Sequence, residues 1–275
     1  MFDTIVVPVD GTKFSLGALP SAAAIARAAE AKVRVATVVR DERQLAWGDE
    51  TVQAAIKQLP ATVTSTADVL IGTDPFAALA ELASVPANVL CFATHDRNRL
   101  ASRLMGSVGS GLVQRTSASF IVVGPHGAST ASGREVAVAL DGVGDPEPLL
   151  SVAATWARRV AAPLRIITVF EPTPADLRRP EHYARVHGPP IDPDVYLDAM
   201  RARVDDVGLV GVETTAVPDP VSVAGGLETL FAEHPPLVLV VGGGRHRWWP
   251  PSVVSTLLRG MPPPIVVVNH SPMTS

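Results

Sequence analysis

Hydrophobic residues fall into two patterns along this chain: short continuous runs, and longer stretches in which apolar positions return every three or four residues. Ile5 to Val9 is a run of the first kind, and lacks the alternation of a half-solvated strand, so it predicts a strand covered by helices on both faces. Asp10, Gly11 and Thr12 end it. Leu16, Leu19, Ala22, Ala23, Ile25 and Ala26 then mark one face of a helix that closes near Ala29. The same reading predicts strands over 33–39, 62–71, 88–93 and 120–123, with helices over 51–59, after Asp74, and through Leu112 and Val113. Asp74 as N-cap and Pro75 at the first helical position form a strong start signal, and Phe76, Leu79, Leu82 and Ala83 supply the buried face. Five strands alternating with four helices predict a parallel, doubly wound α/β sheet with right-handed crossovers.

Gly124 to Gly133 reads as a linker, rich in Gly and Ser, and beyond it the pattern starts again. Val136-Ala137-Val138-Ala139-Leu140-Asp141-Gly142 copies Ile5-Val6-Val7-Pro8-Val9-Asp10-Gly11 at an offset of 131 residues. Asp219-Pro220 repeats Asp74-Pro75 at an offset of 145, as Ile265 to Val268 repeats Phe120 to Val123. The extra residues are expected in the Pro-rich segment Glu171 to Asp194. The predicted fold is therefore two tandem doubly wound parallel five-stranded sheets flanked by helices, related by a pseudo-twofold axis, with domains over 1–124 and 134–270.

Composition narrows the function. The chain has 275 residues, 47% hydrophobic and 18% charged, with a formal net charge of −4. That balance offers no electrostatic footprint for nucleic acid and no polybasic membrane patch. No apolar run reaches the roughly 20 residues of a membrane helix. The first strand starts almost at the first residue and leaves no room for a signal peptide, so the expected location is cytoplasmic. Cys91 is the only cysteine and lies in an apolar strand, which excludes an intrachain disulfide and predicts a buried structural thiol.

The segment Thr94 to Val108 follows the fourth strand and passes through Gly106-Ser107 into a helical pattern. Open parallel sheets bind ligands beyond the carboxyl ends of their strands, and a helix N-terminus there offers N–H groups to an anion. Arg97, Arg99 and Arg103 add positive charge. The strand ending in Asp-Gly, the Asp-Pro helix start and the spacing around Gly106-Ser107 together resemble the universal stress protein family, in its tandem two-domain form. ATP-binding members of that family carry Gly, two residues, Gly, nine residues, then Gly-Ser or Gly-Thr. Here those places hold Ala93, Asp96, Gly106 and Ser107, so the register is kept and the first two glycines are replaced.

The resemblance implies an adenine-nucleotide site in the first half, with ATP as the expected ligand. It implies contacts from Asp10 and Val38 to the nucleoside and from Gly106, Ser107 and Val108 to the phosphates, with Ala93 and His95 in the same loop region. It also implies pairing of the last strands, Phe120 to Val123 and Ile265 to Val268, across the twofold, leaving helix faces for a homodimer or an unknown protein partner. Two roles stay open for Asp10: nucleotide contact, or capping of the following helix with help from Thr12. Asp96 places a carboxylate beside an anion.

In the second half the matching loop, Gly242 to Ser252, is four residues shorter, and Pro251 removes an N–H that would face phosphate. Trp248 and Trp249 are open to closing over a base, filling the vacant pocket, contacting a partner or simply packing. His182 and His187 lack companion ligands at metal-site spacing. Neither a Gly-x-Ser-x-Gly elbow nor a P-loop is present, and no base, nucleophile or metal-ligand set stands out, so the expectation is a stress-response binding or signalling module and not an enzyme. Slow ATP hydrolysis is compatible with it. The alternative is a pseudo-symmetric scaffold that binds no nucleotide and recruits a partner or a second copy.

Overall fold

The computed structural model describes residues 2–93, 120–124, 133–140, 142, 145–170, 192–204, 207–218, 223–242, 257 and 263–268. The first half runs β1 (Thr4–Pro8), α1 (Leu19–Ala28), β2 (Lys32–Val39), α2 (Leu45–Ile56), β3 (Ser65–Ile71), α3 (Pro75–Ser84), β4 (Asn88–Ala93) and β5 (Phe120–Val123). The second runs β6 (Val136–Leu140), α4 (Glu147–Arg159), β7 (Leu164–Phe170), α5 (Pro193–Arg201), β8 (Val212–Pro218), α6 (Val223–Glu233), β9 (Val238–Gly242) and β10 (Ile265–Val268).

Strand chemistry follows position. Ile5, Val6 and Val7 in β1 and Val136, Ala137 and Val138 in β6 are fully buried, as continuous apolar runs between two helical layers must be. The outermost strands β3 and β8 instead mix polar and apolar residues, and only Val212 among them is buried. Each is tied inward by an ion pair: Arg34 of β2 to Asp68 of β3, and Arg165 of β7 to Glu213 of β8. Charge on an edge strand also discourages pairing with a further chain.

All ten strands belong to one sheet, ordered β3-β2-β1-β4-β5-β10-β9-β6-β7-β8. Within each half every described pairing is parallel, as the sequence predicts. The two five-stranded halves are joined as the resemblance implies, because β5 and β10 pair antiparallel through Val122–Ile265, Ile121–Val266 and Phe120–Val267. Four short apolar residues on each strand, all buried, leave no polar side chain to hold these two edges apart. The strand order reads the same outward from that junction on both sides, which is what a twofold axis between β5 and β10 produces.

One face of the sheet carries a continuous core from α1, α2, α4 and α5, spanning both halves; on the other, α3 and α6 cover separate clusters. The halves also touch at the amino end of β1. Phe2 lies 4.6 Å from Trp156 of α4 between ring centroids, and Arg159 donates through Nε to the Phe2 carbonyl at 2.9 Å.

Helix starts bear out the Asp-Pro signal at Asp74, whose carboxylate accepts from the Phe76 N–H at 2.9 Å. A second start of this kind is at Asp192-Pro193, where Asp192 accepts from the N–H groups of Asp194 and Val195. The Pro-rich segment therefore ends in a capped helix. Asp219 and Pro220 lie outside the described residues, and α6 is described from Val223. The shorter fourth connection does hold, with 26 residues between β4 and β5 and 22 between β9 and β10.

Candidate functional site

The chain lays β1, β2 and β3 side by side in one direction, then returns to place β4 and β5 on the other flank of β1. The reversal opens a crevice at the carboxyl ends of β1 and β4, the place where α/β sheets of this kind receive ligands. Asp10 stands two residues past the end of β1. Pro8 pairs with Ala36 and the Val9 N–H donates to the Ala36 carbonyl, so Val38 of β2 lies level with Asp10. Ala93, the last residue of β4, pairs with Val123 on the opposite flank. Three of the residues singled out in the sequence therefore share one end of the sheet.

Asp10 is held by its own turn. Oδ1 accepts from the Thr12 N–H at 3.0 Å and from the Thr12 hydroxyl at 2.6 Å. Ser15 Oγ accepts from the Asp10 N–H at 3.2 Å and donates to the Thr12 carbonyl at 2.9 Å. The helix α1 begins only at Leu19, preceded by a 3-10 turn over Ser15–Ala18, so Asp10 closes a loop and is not the N-cap of α1. Partial desolvation pushes its pKa up, but hydrogen bonds from Thr12 and Ser15 and from backbone N–H groups outweigh it and leave the carboxyl below its ordinary value. At neutral pH this end of the sheet holds a fixed carboxylate, able to accept from hydroxyl or amino donors.

The neighbouring positions are shaped by small residues. Gly11 has φ of 79°, a left-handed conformation, and a Cβ there would meet Trp47 Cζ2 at 3.4 Å and Thr51 at 3.8 Å. Gly142 repeats that conformation, with φ of 72°, after the equivalent strand of the second half. The Ala93 methyl faces Gly17, where an added Cβ would lie in ordinary contact with it at 3.5 Å. Val38 is half-buried, beside Gly72 and below the end of β3. Trp47, Thr51, Gly17 and Ser15 are members of this site that sequence periodicity does not single out.

His95, Gly106, Ser107 and Val108 lie outside the described residues, as do Asp96, the loop arginines, Asp141, Trp248, Trp249, Pro251 and Ser252. Cys91 is fully buried in β4, and burial pushes its thiol pKa far up, which suits a structural thiol and not a nucleophile. Among the described residues, no group of three or more His, Cys, Asp or Glu could hold a metal ion, and no helix is long and apolar enough to cross a membrane.

The fold has known counterparts. A universal stress protein from Archaeoglobus fulgidus DSM 4304 superposes with a TM-score of 0.55 at 17% identity, over 98% of this chain and 99% of that one. The cytoplasmic domain of a prokaryotic cation chloride cotransporter gives 0.54 at 10% identity, over 97% and 95%. One architecture thus serves proteins of different description. A universal stress protein in complex with cAMP is 28% identical over 44% of this chain and 96% of that one, with a TM-score of 0.35. No curated protein matches the chain. Residues 1–124, which contain Asp10, Val38 and Ala93 and the whole of β1 to β5, match the model of the Universal stress protein family.

Proposed function

We propose that this chain is an adenine-nucleotide binding or signalling module of the universal stress type, with its surviving site in the first half. Asp10 and the backbone near Val38 take the nucleoside, Gly106, Ser107 and Val108 surround the phosphates, and Ala93 and His95 border the loop between them. ATP is the expected ligand. The observation that carries this reading is Asp10: a carboxylate kept ionised, fixed by its own turn, and set at the strand reversal beside Val38 and Ala93. Such a group can bind ribose hydroxyls or an adenine amino group without first being ordered. The protein is a binding module and not a conventional enzyme; slow ATP hydrolysis is compatible with this reading, and an ATPase assay with Mg²⁺ or Mn²⁺ should read no more than such a slow rate.

Calorimetric titration with ATP, AMP and cAMP tests the reading. Heat and a thermal shift with wild type, lost in Asp10→Ala and in Gly106→Asp, support it; a silent wild type, or variants that bind unchanged, sink it.

A second reading has its own support. Phe14, Trp47, Ile71 and Phe76 are large apolar residues exposed at the carboxyl ends of β1, β2 and β3, a grouping that fits a scaffold recruiting a protein partner or a second copy. The ultraviolet spectrum of purified, denatured protein separates the two: released adenine absorbance favours the nucleotide reading, and its absence leaves the scaffold ahead.

A further inference from the structure

The feature at this end of the sheet that the Asp10 reading leaves unused is Trp47. It stands in the first turn of α2 with 47% of its surface exposed, and its Cζ2 edge is turned toward Gly11, the residue that follows Asp10. Two glycines adjoin it. Gly48, the next residue, is where α2 presses onto the sheet: an added Cβ would meet Val69 Cγ1 at 2.6 Å, Val39 Cγ1 at 3.0 Å and Thr37 Cγ2 at 3.4 Å. The backbone carrying Trp47 is thereby held down on β2 and β3. Gly11 is left-handed, and a Cβ there would only touch the indole edge, at 3.4 Å, so a side chain would strain the turn while the ring already lies in contact range of it.

An indole placed in this way is a half-exposed aromatic surface at the turn that holds the Asp10 carboxylate. Burial alone does not account for a large aromatic left half exposed while the adjoining Gly48 is packed to the limit. The chemistry that uses both neighbours is a planar heterocycle carrying hydroxyl or amino donors: the ring system stacks, and the donors reach Asp10. Phosphate chemistry uses neither.

We infer that Trp47 is the base-stacking residue of this site, setting its preference for the purine part of the nucleotide over the polyphosphate. The inference rests on the nucleotide reading given above. Stacking on an aromatic side chain is commonly lost at a cost of about tenfold or more in affinity when the ring is removed. Trp47→Ala should therefore weaken ATP about tenfold while leaving inorganic tripolyphosphate unchanged, and Trp47→Phe should recover most of the loss.

The test is calorimetric titration of full-length wild type, Trp47→Ala and Trp47→Phe with ATP and with tripolyphosphate. Hydroxyl-radical footprinting of wild type, read by mass spectrometry at Trp47, adds a measurement free of any substitution: protection by ATP and none by tripolyphosphate is expected. If ATP binds wild type and Trp47→Ala alike, or leaves Trp47 unprotected, the inference fails and the nucleotide reading stands. An equal loss of ATP and tripolyphosphate in Trp47→Ala assigns the residue a merely structural role and also overturns it. If wild type binds neither ligand, the inference and the reading fall together.

Discussion

Gly11 and Gly17 lie six residues apart around the same crevice and should respond oppositely to a methyl group. Gly11 sits at φ of 79°, so Gly11→Ala imposes left-handed strain. A loss of about 1–2 kcal/mol in denaturant unfolding is expected. Gly17 has ordinary backbone geometry and meets only the Ala93 methyl at 3.5 Å, so Gly17→Ala should be neutral or stabilising by about 0.4–1 kcal/mol, because it restricts the unfolded chain. Asp10 contributes a pH signature. Its folded pKa lies below the ordinary 3.8, so its share of stability is complete above that value and is lost as pH falls through the folded pKa. The stability difference between wild type and Asp10→Asn should shrink on acidification below about pH 4, followed by urea midpoints across the acid range. A difference that grows toward low pH would contradict the hydrogen-bonded carboxylate.

Helices and strands differ in how openly the sequence announces them. The buried strands are legible because a continuous run of Val, Ile and Ala has few alternatives, and β1, β5, β6 and β10 fall where those runs stand. Asp74-Pro75 is legible because N-capping is local chemistry. The first turns of α2 are not: the periodic reading begins the helix at Thr51, and the structure begins it at Leu45. Gly48 is the reason, since inside a helical pattern it reads as a breaker, whereas in space it is the one residue small enough for α2 to rest on Val39 and Val69. Asp192-Pro193 is hidden in another way, by the prolines before it. Of the site itself, Asp10, Val38 and Ala93 are marked by strand ends and by motif register. Trp47 meets Gly11 only through the packing of α2, which no spacing along the chain encodes. Gly48→Ala should thus lift α2, costing about 1–3 kcal/mol, and weaken ATP binding together with stability. Tryptophan emission and chemical denaturation of this variant check both.

At the scale of the molecule, the core beneath α1, α2, α4 and α5 crosses the junction between halves without a break. Calorimetry should show one unfolding transition, and an unmistakable pair of peaks would mean that this continuity has little energetic weight. Arg159 tests the contact away from β5 and β10. It donates to the Phe2 carbonyl at 2.9 Å, pairs with Asp3 at 3.4 Å and lies over the Phe2 ring at 5.7 Å from the centroid. Arg159→Ala should cost about 1–2 kcal/mol, read as a lower midpoint for the whole transition and not for one half alone.

The antiparallel seam between β5 and β10 also decides how this protein behaves on dilution. Two free chains meeting along such a seam would part as their concentration fell, whereas here each strand is the other's permanent neighbour at a local concentration fixed by the connecting chain. Its melting temperature should be independent of protein concentration as far as this seam is concerned. Symmetry is likewise no longer compulsory: a substitution on β10 occurs once, with no mirrored copy on β5, so the two sides of the seam can be altered one at a time.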